Sequence, residues 1–300
     1  MATKLKKEVA ATPEKEAKKT VKKVVAKKEA APKKEVKKTV AKKAVAKETK
    51  IEKTQKVEKV IEVKETPKTA KSEVTVEALF EAGAHFGHVV KKWNPKMKKY
   101  LWGAKNGIHI FDLEKTVGLL DEACKELTKL ASTGKRIVLV GTKRQARQMV
   151  EDAAKKADIP FITQRWMGGL ITNWKQVKQT IDRLNSLKSK KETGQLKKYT
   201  KKEQVLFDKE ISRLERVVGG LASLKEAPEV VVVIDTHKEK LAVKEAKASG
   251  VTVIGLVDSN ANPDMVDFAI PMNDDSAKGL EIVIDALGKA IALGKKELKK

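Results

Sequence analysis

The chain has 300 residues, with 65 lysines and arginines against 40 aspartates and glutamates, a formal net charge of +25 at pH 7. That length allows one large domain or two small ones with ample core, and that charge makes a polyanion the expected partner, nucleic acid before an anionic membrane surface. The longest uninterrupted apolar run, residues 230–234, is far too short to span a bilayer, and the amino-terminal lysines are followed by no apolar stretch of a secretory signal.

Residues 1–71 hold 24 lysines and 10 glutamates, and the remaining 229 residues still carry a surplus of 11 positive charges. The expected polyanion therefore does not depend on the amino-terminal segment. That segment has no aromatic residue, no glycine, no arginine and one leucine, and Pro13, Pro32 and Pro67 interrupt any long helix. It has too little apolar surface to offset its ordering entropy. The expectation is a disordered Lys/Ala-rich basic arm over 1–71, followed by a folded domain over 72–300.

The pattern turns globular at Val74. Ser72 is the expected cap of a short helix running to Ala82. Residues 85–116, HFGHVVKKWNPKMKKYLWGAKNGIHIFDLEKT, then gather five lysines before Tyr100, three of the four histidines and two tryptophans. Lysines neutralise phosphates and flat rings stack on bases, so the combination points to RNA. The plainer reading is a basic surface loop anchored by two buried indoles. A small hairpin is expected around residues 100–102 and 108–111, turning at 105–107.

Beyond it, strand-like runs at 137–140, 159–163, 230–234, 251–257 and 268–270 alternate with helical runs at 116–131, 143–157, 238–249 and 276–293. This alternation predicts an α/β fold with a parallel sheet covered on both faces. Cys124, the single cysteine, falls within the first helical run and is expected in the core, which suits a reducing cytosol. Between the second and third strands the rhythm breaks. Trp174, Val177, Ile181 and Leu184, then Phe207, Ile211, Leu214, Val218 and Leu221, recur at spacings of three and four. Two amphipathic helices with near-heptad seams are expected, closing into an antiparallel hairpin inserted at about 170–225. Its polar tip, residues 188–202, contains seven lysines and one glutamate, Glu192. Flexible ammonium groups suit sequence-independent phosphate contact.

Several ordered stretches carry a family resemblance: HFGH, KxWNPKMKxY and GAxNGIHIxDLEKT within 85–116, VGTKRQA at 140–146, QRWMGGLITN at 164–173, LVDSNANPD at 256–264 and IPMNDD at 270–275. Together they resemble the ribosomal protein S2 family of the bacterial small ribosomal subunit, over about residues 74–293. The resemblance implies a structural, non-catalytic protein acting in translation and subunit assembly, cytoplasmic and on the ribosome. It implies a place at the back of the small subunit between head and body. The implied partners are small-subunit ribosomal RNA and other small-subunit proteins, including ribosomal protein S1 where that partner exists. It also agrees with a hairpin that projects from a flavodoxin-like three-layer domain with a five-stranded sheet.

The candidate RNA-binding residues are Lys91, Lys92, Trp93, Lys96, Lys98, Lys99 and Lys105 in the first basic segment, and Arg144, Arg147 and Arg165 near strand ends. At the hairpin tip they are Lys188, Lys190, Lys191, Lys197, Lys198, Lys201 and Lys202. Lys143, Arg144 and Arg147 are expected to open a helix whose N-terminus favours anions. Recognition is expected through shape and phosphate rather than base edges of a duplex. Trp166 reads as packing, and His109 as facing solvent or RNA.

No cofactor is required by this reading, but the carboxyl ends of the strands suggest a metal. In a flavodoxin-like order Asp235 and Asp258 end neighbouring strands. With His85 or His88 folded over them, they are a candidate set for zinc or magnesium, against the plainer reading of helix caps. His237 stands where the family often has a second acidic residue, which weakens a shared acidic site. The alternative function is a nucleotide- or metal-binding enzyme of the doubly wound class. No Walker loop, GxGxxG, GxSxG or HExxH occurs to support it. A membrane-surface protein held by its arm is a third reading.

Overall fold

The structure, a computed structural model, describes residues 74–298; the expected arm and the expected cap Ser72 lie outside them. The first helix, α1 (Val76–Glu81), is capped instead by Thr75, whose hydroxyl oxygen accepts the Ala78 N–H. Three short strands follow. β1 (Phe86–Val89) and β2 (Leu101–Lys105) flank β3 (Ile108–Phe111) in an antiparallel sheet. The turn between β2 and β3 is Asn106–Gly107, both at positive φ, the pair that a tight hairpin turn demands. The hairpin lies where the sequence predicts it; β1 is an addition, because FGHV lacks the alternation that marks a strand.

The chain then runs α2 (Leu113–Ser132), β4 (Ile137–Val140), α3 (Arg147–Ala157) and β5 (Phe161–Ile162). Next come α4 (Trp174–Glu192) and α5 (Lys201–Val218), and then β6 (Val230–Val233), α6 (Lys240–Ala248), β7 (Thr252–Val257), β8 (Phe268–Pro271) and α7 (Ala277–Leu298). The five later strands form one parallel sheet in the order β5-β4-β6-β7-β8. This is the doubly wound, flavodoxin-like order, with its switch point between β4 and β6.

Each central strand is buried on both faces, so it reads as an unbroken apolar run. Along β4, Ile137 and Leu139 face one core and Val138 and Val140 the other; along β6, Val230 and Val232 oppose Val231 and Val233. All four β6 valines are fully buried, each contributing roughly 1.5–3 kcal/mol relative to exposure. One core is closed by α2, α3 and α7, the other by α6 and the α4–α5 pair. Gly294 brings α7 so close to α2 that a methyl group there would run into the Thr128 carbonyl.

The helices α4 and α5 pack chiefly on each other and on a short 3-10 turn, Gly219–Leu221. Val177, Ile181, Leu184 and Leu187 of α4 and Ile211 and Val218 of α5 are buried along the seam. The ion pairs Arg183–Glu210, Lys188–Glu215 and Lys191–Asp208 run across it. At the root, Gly220 lies directly against the Phe161 carbonyl of β5, where no side chain fits.

Candidate functional site

Two features survive from the sequence: scattered basic side chains and a cluster of titratable groups at the carboxyl edge of the large sheet. The edge cluster is assembled by loops. Ser259, just past β7, accepts the His88 N–H at 2.8 Å on its hydroxyl and the Asn94 N–H at 2.7 Å on its carbonyl. Asn273, past β8, donates its backbone N–H to the Ala84 carbonyl at 3.0 Å and its side-chain amide to Gly83 at 3.1 Å. Gly87 makes the approach tight: a Cβ there would stand 3.1 Å from the Ser259 hydroxyl. These contacts stitch β1 onto the ends of β7 and β8, which explains LVDSNANPD and IPMNDD as seam residues.

His88 is thereby brought over the sheet, with Nδ1 3.0 Å from an Asp258 carboxylate oxygen. The hydrogen bond to Asp258 raises the imidazole pKa above its ordinary value. Burial opposes ionisation of Asp258, but the His88 bond and charge hold its carboxyl below the usual range. Asp258 also accepts from the Ser259 hydroxyl at 2.9 Å and the Asp274 N–H at 3.2 Å. Asp274 completes the cluster. Burial and the nearby Asp258 and Asp235 charges push its pKa up to about 8, although Lys143 bonds to it at 2.7 Å. Lys143 also meets Asp275 at 2.6 Å. One ligand atom from each of His88, Asp258 and Asp274 lies within 4.8 Å of the others.

Of the four metal candidates, the structure thus joins His88 and Asp258 and adds Asp274. His85 stacks on Phe80 with centroids 4.4 Å apart and also meets Phe86. Asp235 sits at φ +74° and accepts the Lys238 N–H at 2.9 Å, the role of a turn cap. Asp274 follows β8 as Asp258 follows β7; the doubled aspartate in IPMNDD was the available signal. An imidazole and two carboxylates suit a divalent cation, and the imidazole favours zinc.

The basic residues fall into two groups. Lys96 pairs with Asp264, Lys188 with Glu215 and Lys191 with Asp208; Lys99 rests 4.8 Å over the Tyr100 ring. Arg147 donates Nε–H to the Thr142 carbonyl at 3.0 Å. By contrast, Lys91, Lys92, Lys98, Lys105, Arg144 and Arg165 are exposed with no side-chain partner among the described residues. The same holds for Lys190, Lys197, Lys198, Lys201 and Lys202 at the hairpin tip.

Three expectations need correction. The helix after β4 opens at Arg147, because residues 143–146 form a turn and Lys143 is drawn inward by Asp274 and Asp275. Lys143 and Arg144 therefore do not open it, and Lys143 is no free anion-binding group. His109 is buried rather than facing solvent, against the Trp93 ring at 4.8 Å, so Trp93 is partly spent on packing. Trp166 is buried, as read.

The sequence model of the family described as ribosomal protein S2 matches residues 79–294. The chain is 40% identical to the small ribosomal subunit protein uS2 of Chlorobaculum tepidum over 216 residues, 72% of this chain and 87% of that protein. It is 43% identical to the uS2 protein of Acinetobacter baylyi over 222 residues, 74% of this chain and 89% of that one. Against the uS2 protein of Dehalococcoides mccartyi it is 41% identical over 224 residues, 75% and 91% of the two chains.

Proposed function

The chain belongs to the ribosomal protein S2 family, a family of structural rather than catalytic proteins, and from that premise we propose that it builds the small ribosomal subunit by clamping folded ribosomal RNA. The observation that carries the RNA reading is the density of exposed cations without a carboxylate partner in two segments. Lys91, Lys92, Lys98 and Lys105 in the first basic segment, and Lys190, Lys197, Lys198, Lys201 and Lys202 at the hairpin tip, are exposed with no side-chain partner among the described residues, and they stand closer together in sequence than other free lysines such as Lys135, Lys156 and Lys244. Unpaired ammonium groups on a stiff two-helix lever are placed to neutralise phosphates, and release of counterions then drives binding. Partners are small-subunit ribosomal RNA and neighbouring small-subunit proteins. Contact with ribosomal protein S1 rests on the family resemblance alone. The protein works on ribosomes in the cytoplasm, and no helix among the described residues is long and apolar enough to cross a membrane.

The edge cluster is given a supporting role. A divalent cation held by His88, Asp258 and Asp274 would favour the ionised form of Asp274, which burial and the neighbouring carboxylate charges oppose, and would fasten β1 with its basic segment to the large sheet. The RNA proposal is tested by the salt dependence of binding to a small-subunit ribosomal RNA transcript. Changing Lys190, Lys197 and Lys198 to Gln lowers the slope of log affinity against log salt by roughly one unit per lysine in contact. Changing the paired Lys188 and Lys191 moves it far less. Equal effects from both sets would remove the distinction on which the proposal stands.

A further inference from the structure

Resting on the RNA reading of the hairpin, we propose that Tyr199 is a stacking platform for one unpaired RNA base, with the tip lysines holding the phosphates on either side of it.

Tyr199 stands between the two hairpin helices, after the 3-10 turn Gln195–Lys198 and before the α5 cap Thr200. It is 49% exposed. Leu196 takes the buried position in this turn and Tyr199 stays out. Its backbone is fixed: its N–H donates to the Leu196 carbonyl at 3.2 Å, and its carbonyl accepts from the Gln204 amide at 2.9 Å. Phe207 meets its ring at 67° with centroids 5.2 Å apart. This edge contact sets the plane of the tyrosine while leaving about half of the residue open. An ordered exposed ring costs little further entropy when a base lands on it.

The surroundings select the ligand. Lys197 and Lys198 precede the ring, and Lys201 and Lys202 follow it, all exposed and without side-chain partners among the described residues. The nearest acid in sequence, Glu203, spends its carboxylate on the Thr200 N–H and hydroxyl in a capping box. A flat ring flanked in sequence by four exposed lysines fits a polymer that alternates planar rings with anions, which is single-stranded nucleic acid. The base must be unpaired, because a base inside a helix has no free face. Val205 and Leu206 extend the exposed apolar surface along α5, so a neighbouring protein is the rival occupant.

The test uses the full chain and a small-subunit ribosomal RNA transcript, with affinity measured across a salt series. Tyr199→Ala weakens binding roughly fivefold to a hundredfold, with the salt slope unchanged, since one stacked base and no charge is lost. Tyr199→Phe restores the affinity, because it keeps the ring. Both variants melt cooperatively, Tyr199→Phe at the wild-type temperature and Tyr199→Ala a few degrees lower for its lost Phe207 contact, which shows that the fold is intact. Wild-type affinity for Tyr199→Ala, while the lysine variants still flatten the slope, would overturn the stacking role and spare the phosphate reading. Loss of both effects would overturn the tip as an RNA contact altogether. A Tyr199→Ala chain that binds the transcript normally but fails to enter subunits assembled with the other small-subunit proteins would assign the ring to a protein contact instead.

Discussion

Burial and the neighbouring Asp258 and Asp235 charges oppose ionisation of Asp274 and push its pKa up to about 8. A divalent cation would favour the ionised form and add binding free energy to the folded state. Chelator-treated protein should therefore melt at a lower temperature, and one equivalent of zinc should restore it. Asp258→Asn should lose that response while still folding. An elemental analysis without stoichiometric metal, together with melting indifferent to chelator, would reduce the cluster to a hydrogen-bonded seam. Cys124 supplies a second residue-scale expectation. Burial pushes its thiol up to about 12 and it is 2% exposed. A thiol-alkylating reagent at pH 8 should leave the native chain unlabelled and add one label after denaturation, since the thiolate is the reactive form. The cysteine was legible from its place in an apolar helical period, and His88 and Asp258 from their motifs. Asp274 was missed although the doubled aspartate of IPMNDD signalled it, because which groups it meets depends on the loop that carries β1 across the sheet. His109 misled because alternation in a four-residue strand does not say which face is covered; Trp93, from a separate turn, covers it.

At the scale of elements, the strands and helices of the parallel sheet were readable because each central strand is a pure apolar run and each covering helix repeats at the helical period. Boundaries failed where tertiary contacts override local pattern. The helix α3 starts late because Lys143 turns to the carboxylates, and β5 shrinks to two residues where the Gly219–Leu221 turn presses on Phe161. The helix pair α2 and α7 allows a sharper test. Gly→Ala within a helix gains about 1 kcal/mol of propensity where space is free. Gly118 of α2 has nothing near its missing Cβ, so Gly118→Ala should raise the melting temperature by a few degrees. Gly294 of α7 faces the Thr128 carbonyl and the Ala131 side chain. Overpacking against backbone costs about 1–3 kcal/mol, more than the propensity gain, so Gly294→Ala should melt lower than wild type. Thermal melts of the two variants check the helix packing directly: a rise for Gly294→Ala would show that α2 and α7 are not in that close contact.

For the whole molecule, the described residues contain both cores and every strand of the two described sheets, so the fold should not need the basic arm. A chain starting at Ser72 should keep its melting midpoint and still join the small subunit, while the loss of 14 net positive charges weakens its nonspecific affinity for RNA at low salt. A broadened or lowered melt would mean that the arm belongs to the folded unit. The α/β architecture was readable because it follows from apolar periodicity; the division of lysines into paired and free was not, since it needs the carboxylates that folding brings near. The central claim, that this chain is a working part of the small ribosomal subunit held there by phosphate contacts, is tested most directly by sedimenting a cell lysate through a sucrose gradient and probing every fraction for the chain. It should travel with the small subunit and with whole ribosomes at low salt, and shift toward the top of the gradient when ribosomes are washed at high salt. A chain found only at the top at every salt concentration would contradict the account.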